Sequence, residues 1–191
     1  MYEKYTTSAF VVSSRASGEA DKTLTLYTKD FGMITGLLTG VRNQKSKFKG
    51  FTETGIHIQV TLVKGKYIWR ITDVVADEKF KIGKTNKPVF LSILSILRKL
   101  VIGQEKNEAL FESILFVFLF LEKRPNSESA LSSLYDLAIL RTVSCLGYGQ
   151  EVPKNISLAG PIHESDLLQV SMSKEKVKEI IESSFKATHL I

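Results

Sequence analysis

The sequence predicts an α+β chain, a small antiparallel β-barrel followed by an all-helical domain, and three observations carry that prediction. The first 80 residues alternate apolar and polar side chains with the two-residue period of half-buried strands. No stretch among them is long enough for the helical crossovers that a parallel sheet requires. Beyond residue 80 the apolar spacing lengthens to that of amphipathic helices.

Residues 54–63 give the clearest alternation: Ile56, Ile58, Val60 and Leu62 share one face, while His57, Gln59 and Thr61 take the other. Residues 9–15, 23–28, 33–39 and 67–75 read the same way, with turns at Gly18, at 30–32 and at 64–66. Five short strands within residues 1–80 predict an OB-fold, the five-stranded barrel with a nucleic-acid-binding face. Residues 81–191 form the second predicted domain. It opens on the polar cluster Lys81, Gly83, Lys84, Thr85, Asn86 and Lys87, after which Pro88 suits the first turn of a helix. Residues 89–102 carry Leu91, Leu94, Ile96 and Leu97 at helical spacing, and Asn107 is placed to cap a second helix through Glu122. Pro125 breaks the chain, Ser127 or Ser129 opens a third helix, and Gly147 is positioned to end it. Residues 153–166 read as irregular. Ser173 is expected to cap a last helix with Val177, Ile180, Ile181 and Phe185 on its inner face.

The composition is that of an ordinary globular protein, with 43% hydrophobic and 24% charged residues, which excludes a disordered chain. The segment 110–121 is the most apolar, yet a bilayer span needs about 20 such residues, so it reads as an interior helix. Cys145 is the single cysteine, which excludes an intramolecular disulfide and a multi-cysteine zinc site. It lies in an apolar run, as a buried structural thiol does, and fits a reducing compartment. The first residues hold no apolar signal-peptide run, which predicts a cytoplasmic protein.

The formal net charge is +6, with 26 basic and 20 acidic residues, and its distribution says more than its size. The stretch from Gly40 to Gly50 holds Arg42, Lys45, Lys47 and Lys49 and no acid, suiting either a polyanion or a solvated loop. Arg15, Lys22, Lys64, Lys66 and Arg70 lie on neighbouring segments, so that one face of the barrel would track a phosphate backbone. Tyr27, Phe48, Tyr67 and Trp69 are the aromatic residues available for stacking on bases. Phe48, flanked by lysines, is the expected exposed one, whereas Tyr27 and Trp69 also suit a core role. Catalysis has little to work with: His57, His163 and His189 are scattered, and Glu19 with Asp21 reads better as turn chemistry than as an acid–base pair. No metal site and no cofactor are predicted. An enzyme acting on nucleic acid would need Glu19, Asp21 and Asp30 to converge.

One ordered set of residues resembles the bacterial RecO recombination mediators: Arg15, Gly18, Glu19, Ala20, Asp21, Lys22, Thr28, Gly32, Gly40, Arg42, Lys45, Ser46, Lys47 and Gly50. Leu110 and Phe111, then Leu140, Arg141, Leu146, Gly147 and Tyr148, are similar to that family's helical part. The resemblance implies an OB-fold joined to a helical partner-binding domain, with no enzymatic turnover and a nucleoid-associated role in RecF-pathway DNA repair. It implies binding of single- and double-stranded DNA, annealing of complementary strands, and assistance to RecA loading, with RecR and single-stranded-DNA-binding protein as partners. The latter's acidic, apolar-ended C-terminal tail would suit a groove edged by Arg98, Lys99, Arg124 and Arg141, which border the apolar helices, although each by itself reads better as a solvated helix-surface charge. Many members carry a four-cysteine zinc module after the Leu-Gly-Tyr helix. Here a shortened region within 149–172 stands in its place, with 149–166 as the module's shortened equivalent, and no zinc is expected. A protein adaptor with no direct DNA role is the competing reading.

Overall fold

A computed structural model describes residues 3–43, 46–75, 82–123, 127–148 and 152–188. The chain forms two compact units, Met1–Lys81 with Val101–Lys106, and Ile82–Leu100 with Asn107–Ile191. The short segment Val101–Lys106, read from sequence as part of the helical domain, belongs to the barrel unit by its contacts.

In the first unit, β1 (Lys4–Ser17), β2 (Asp21–Thr28), β3 (Gly32–Leu38), β4 (His57–Lys64) and β5 (Trp69–Val75) close into a barrel in the order β1-β2-β3-β5-β4. All neighbours are antiparallel except β3 and β5, which meet in parallel at Gly36–Trp69, Leu37–Arg70 and Leu38–Ile71. This is the expected OB topology. β1 is longer than its apolar alternation suggests because two neighbours share it. Its first half pairs with β4 from Lys4–Val63 to Phe10–His57, and its second half pairs with β2 from Ala9–Thr28 to Ser17–Asp21. The added residues Thr6, Thr7 and Ser8 carry hydroxyls, so their sequence lacks the hydrophobic rhythm of a half-buried strand although backbone pairing holds them in one. Inward side chains Val11, Leu24, Leu26, Ile34, Leu38, Ile58, Val60, Leu62, Trp69 and Ile71 fill the interior. Burying each large aliphatic or aromatic side chain contributes about 1.5–3 kcal/mol.

Strand directions set the two ends of the barrel. The β1–β2 turn and the long β3–β4 connection lie at one end, and the β2–β3 and β4–β5 turns lie at the other. The second end is closed by Tyr5, Phe31 and Trp69, whose ring centroids are 5.1–5.9 Å apart. Segment Val101–Lys106 straps across it: the Met33 amide donates to the Gly103 carbonyl at 3.2 Å, and the Trp69 indole N–H donates to Gln104 Oε1 at 3.2 Å.

The second unit comprises α1 (Lys87–Leu100), α2 (Glu108–Lys123), α3 (Glu128–Cys145), α4 (Glu164–Met172) and α5 (Lys174–Ala187). Asn107 caps α2, accepting from the Leu110 amide at 3.0 Å, and Ser127 caps α3 through the Ala130 amide at 3.3 Å. Gly147 ends α3, with its own amide on the Ser144 carbonyl and the Tyr148 amide on the Val143 carbonyl. Two sequence expectations need correction. The stretch read as irregular through Asp166 already turns helical at Glu164, where the Asp166 carboxylate accepts the His163 amide at 2.8 Å. Ser173 does precede α5, but its hydroxyl caps nothing, because α4 runs almost directly into α5 there.

Candidate nucleic-acid interface

The basic connection between β3 and β4 is held down by its apolar residues. Val41 is buried, and Phe48, Phe51 and Ile56 pack on the barrel interior, with a single 3-10 turn at Lys49–Phe51. Its start is stitched to the β1–β2 turn by three bonds. Asp21 Oδ1 accepts the Gly40 amide at 2.8 Å, the Arg42 amide donates to the Ala20 carbonyl at 2.9 Å, and Arg42 Nη1 donates to the Gly18 carbonyl at 2.8 Å. Turn and loop therefore form one preformed rim, and less conformational freedom is lost when a ligand binds it.

The candidate cations fall into two groups. Arg15, Lys22, Arg42 and Lys47 lie around the rim, where Arg15, Arg42 and Lys47 are exposed. Lys22 is half-buried, and its amine donates to the Thr52 hydroxyl at 2.8 Å, so its first task is to close this end of the barrel. Lys45 and the side chain of Lys49 lie outside the described residues. Lys64, Lys66 and Arg70 lie at or near the opposite end, on the β4–β5 hairpin, and all three are exposed. β5 connects the groups: Arg70, Thr72 and Asp73 follow one another along it, and Asp73 reaches Lys47. Among the described residues no acid pairs with Arg15, Lys64, Lys66 or Arg70.

Lys47 is different. Its ammonium sits 3.0 Å from Asp73 Oδ1, and the hydrogen bond it donates pulls the Asp73 carboxyl below the usual range. Asp73 was not singled out in the sequence: alternation from Trp69 and Ile71 would turn it inward, and a register shift opposite Thr61 and Leu62, which leaves Thr72 unmatched, brings it out to Lys47.

The aromatic expectations divide. Tyr27 and Trp69 are buried core residues. Phe48 is not the exposed stacking residue expected of its lysine neighbours: it packs against the barrel interior, with Lys47 Nζ 4.8 Å above its ring centroid. Phe48 is an anchor: within the connection from β3 to β4 it is an apolar side chain that packs on the core of the barrel. Tyr67, at the tip of the β4–β5 hairpin, is the exposed one, at 89%.

Glu19, Asp21 and Asp30 do not converge. Asp21 belongs to the rim, whereas Asp30 lies in the β2–β3 turn at the other end and accepts the Thr7 hydroxyl at 2.6 Å. Among the described residues no three His, Cys, Asp or Glu side chains gather at metal-binding distance. His57 lies beside the Phe10 ring and 2.6 Å from the Ser8 hydroxyl, and burial lowers its pKa. Burial raises that of Cys145.

In the helical unit, Arg98 and Lys99 are exposed in the last turn of α1, and Arg124 lies outside the described residues. Arg141 is no groove-edge cation. It is fully buried in α3 and donates to the carbonyls of Ser157, Gly160 and Ala159 at 3.1, 2.9 and 3.4 Å, pinning the irregular segment before α4. Burial lowers its pKa, and Asp166 partly opposes that shift. No helix among the described residues is long and apolar enough to cross a membrane.

The family model described as Recombination protein O N terminal matches residues 1–78. The DNA repair protein RecO of Thermodesulfovibrio yellowstonii is 30% identical over 148 residues, which is 75% of this chain and 58% of that protein. That of Clostridium novyi is 23% identical over 169 residues, 87% of this chain and 65% of its own length. That of Dehalococcoides mccartyi strain CBDB1 reaches 41% over 68 residues, or 36% of this chain and 27% of that protein. This chain therefore spans less than two thirds of the length of these relatives.

Proposed function

The chain belongs to the RecO family, and from that premise we propose that it binds DNA through the cationic surface of its barrel and serves recombinational repair without transforming its ligand. The observation that carries this reading is the preformed rim, which presents Arg42 and Lys47 on a loop anchored by Val41, Phe48 and Phe51. Each cation that neutralises a phosphate releases a condensed counterion, so binding strengthens with the number of cations engaged and needs no base readout. Strand annealing follows from the same physics, because a cationic surface that accepts two backbones lowers their mutual repulsion. Arg15, Lys45, Lys49, Lys64, Lys66 and Arg70 extend the surface, while Lys22 supports it from within.

In this proposal the protein assists RecA loading and works with RecR and single-stranded-DNA-binding protein. Arg98 and Lys99 are then the cations available on the helical unit to an acidic tail, and Arg141 drops out of that role because it is buried.

The test is the double variant Arg42→Glu with Lys47→Glu, titrated with labelled single- and double-stranded DNA over a range of salt. Weaker binding is expected, with a log–log salt slope shallower by about 1.4 on single strands. Unchanged affinity and slope would remove the rim from the interface.

A further inference from the structure

We propose that Tyr67 stacks on an unpaired base and makes the barrel discriminate single-stranded from duplex DNA, an inference that rests on DNA binding by the barrel.

An isolated exposed aromatic is ordinary on a protein surface, so the argument lies in how this one is held and what surrounds it. The base of the hairpin is fixed. Trp69 is buried and bound through its indole to Gln104, and Lys64 pairs with Trp69 in register. The turn itself is close-packed at Gly65, where an added Cβ would lie 2.3 Å from the Ile68 carbonyl oxygen. The backbone that carries the ring is thus fixed at both ends of the turn, while the ring itself stands clear of the barrel.

Its surroundings select an anionic partner. From Lys64 to Arg70 the chain carries three cations and no acid. Lys66 Nζ stands over one face of the Tyr67 ring, 5.0 Å from its centroid. At 89% exposure the ring is otherwise free to receive a base, while the ammonium remains beside the following phosphate.

Stacking is what distinguishes the two DNA forms. Backbone phosphates are common to both, so Lys64, Lys66 and Arg70 favour neither strongly. Inside a duplex both faces of each base are already covered by neighbouring pairs, whereas a single strand presents its faces to any aromatic platform. The β4–β5 hairpin would then add affinity for single strands alone.

The experiment compares the full chain with Tyr67→Ala and Tyr67→Trp, using a short labelled oligothymidylate as the single strand. A closed-circular duplex, which has no ends to stack on, serves as the paired form. Tyr67→Ala is expected to weaken oligothymidylate binding about 5- to 140-fold, the range of one lost base stack. Duplex affinity and both salt slopes should stay as in the parent, and Tyr67→Trp should retain single-strand affinity. Unchanged melting temperatures would confirm that the surface substitutions leave the fold intact. If the parent binds and Tyr67→Ala binds single strands equally well, or loses both forms in equal measure, the stacking role is wrong while DNA binding by the barrel stands. If the parent binds neither form, the proposed function fails, and this inference with it.

Discussion

At the scale of single residues, the informative contact is the one between Lys47 and Asp73. The carboxylate occupies the ammonium as a phosphate oxygen would, so a DNA strand must displace an internal anion before it gains Lys47. Asp73→Asn is therefore expected to raise DNA affinity several-fold with the salt slope on single strands unchanged, because Lys47 neutralises one phosphate in both proteins. Titration of the variant beside the parent checks this, and equal affinities would mean that Lys47 lies outside the DNA contact. Nothing in the sequence separates Lys47 from Arg42 in this respect, because the acid that pairs with Lys47 lies 26 positions away, on β5. Arg141 teaches the same lesson. Its neighbours in sequence look like an interior helix bordered by a surface cation, and only the return of Ser157, Ala159 and Gly160 onto α3 shows that the guanidinium serves backbone carbonyls.

At the scale of elements, the strands were legible wherever a single face is buried, as in β4 with Ile58, Val60 and Leu62. They were less legible where pairing alone defines them, as at Thr6 to Ser8 of β1. Helix ends were legible at Asn107, Ser127 and Gly147, whose side chains or backbones perform the expected capping, and illegible at Glu164, where the cap comes from a downstream aspartate. The strap Val101–Lys106 left no trace in the sequence: Val101 and Ile102 read as the end of the preceding helix, and the four residues after them carry neither period. Its docking depends on Gly32, which has φ +60° and whose added Cβ would lie 2.3 Å from the Glu105 carbonyl oxygen. Gly32→Ala is expected to lift the strap and to break the bond between Trp69 and Gln104. Trp69 is the single tryptophan of the chain, so a red shift and change in intensity of its emission would report the event. An unaltered spectrum with normal stability would show that the strap accommodates the methyl group.

At the scale of the whole molecule, a modest formal charge of +6 conceals an uneven surface. The described barrel exposes Arg15, Arg42, Lys47, Lys64, Lys66 and Arg70 around its rim, along β5 and at the far hairpin, and Lys45 and Lys49 belong to the same basic loop. If both groups meet one strand, the log–log salt slope on single-stranded DNA should fall at about −4 to −6. A slope of about −2.8 would limit the contact to the four cations of the loop. The fold class could be read before any coordinates because alternation and helical period persist over whole segments. The interface could not, since its layout depends on which ends of the strands the barrel brings together.

The strap also bears on how the protein can be divided. A fragment severed after residue 81 would lose Gly103 and Gln104, leaving the Met33 amide and the Trp69 indole without acceptors and uncovering one mouth of the barrel. What looks like two modules in tandem is an interrupted one, and a stand-alone OB piece should be sought by grafting residues 101–106 back onto it.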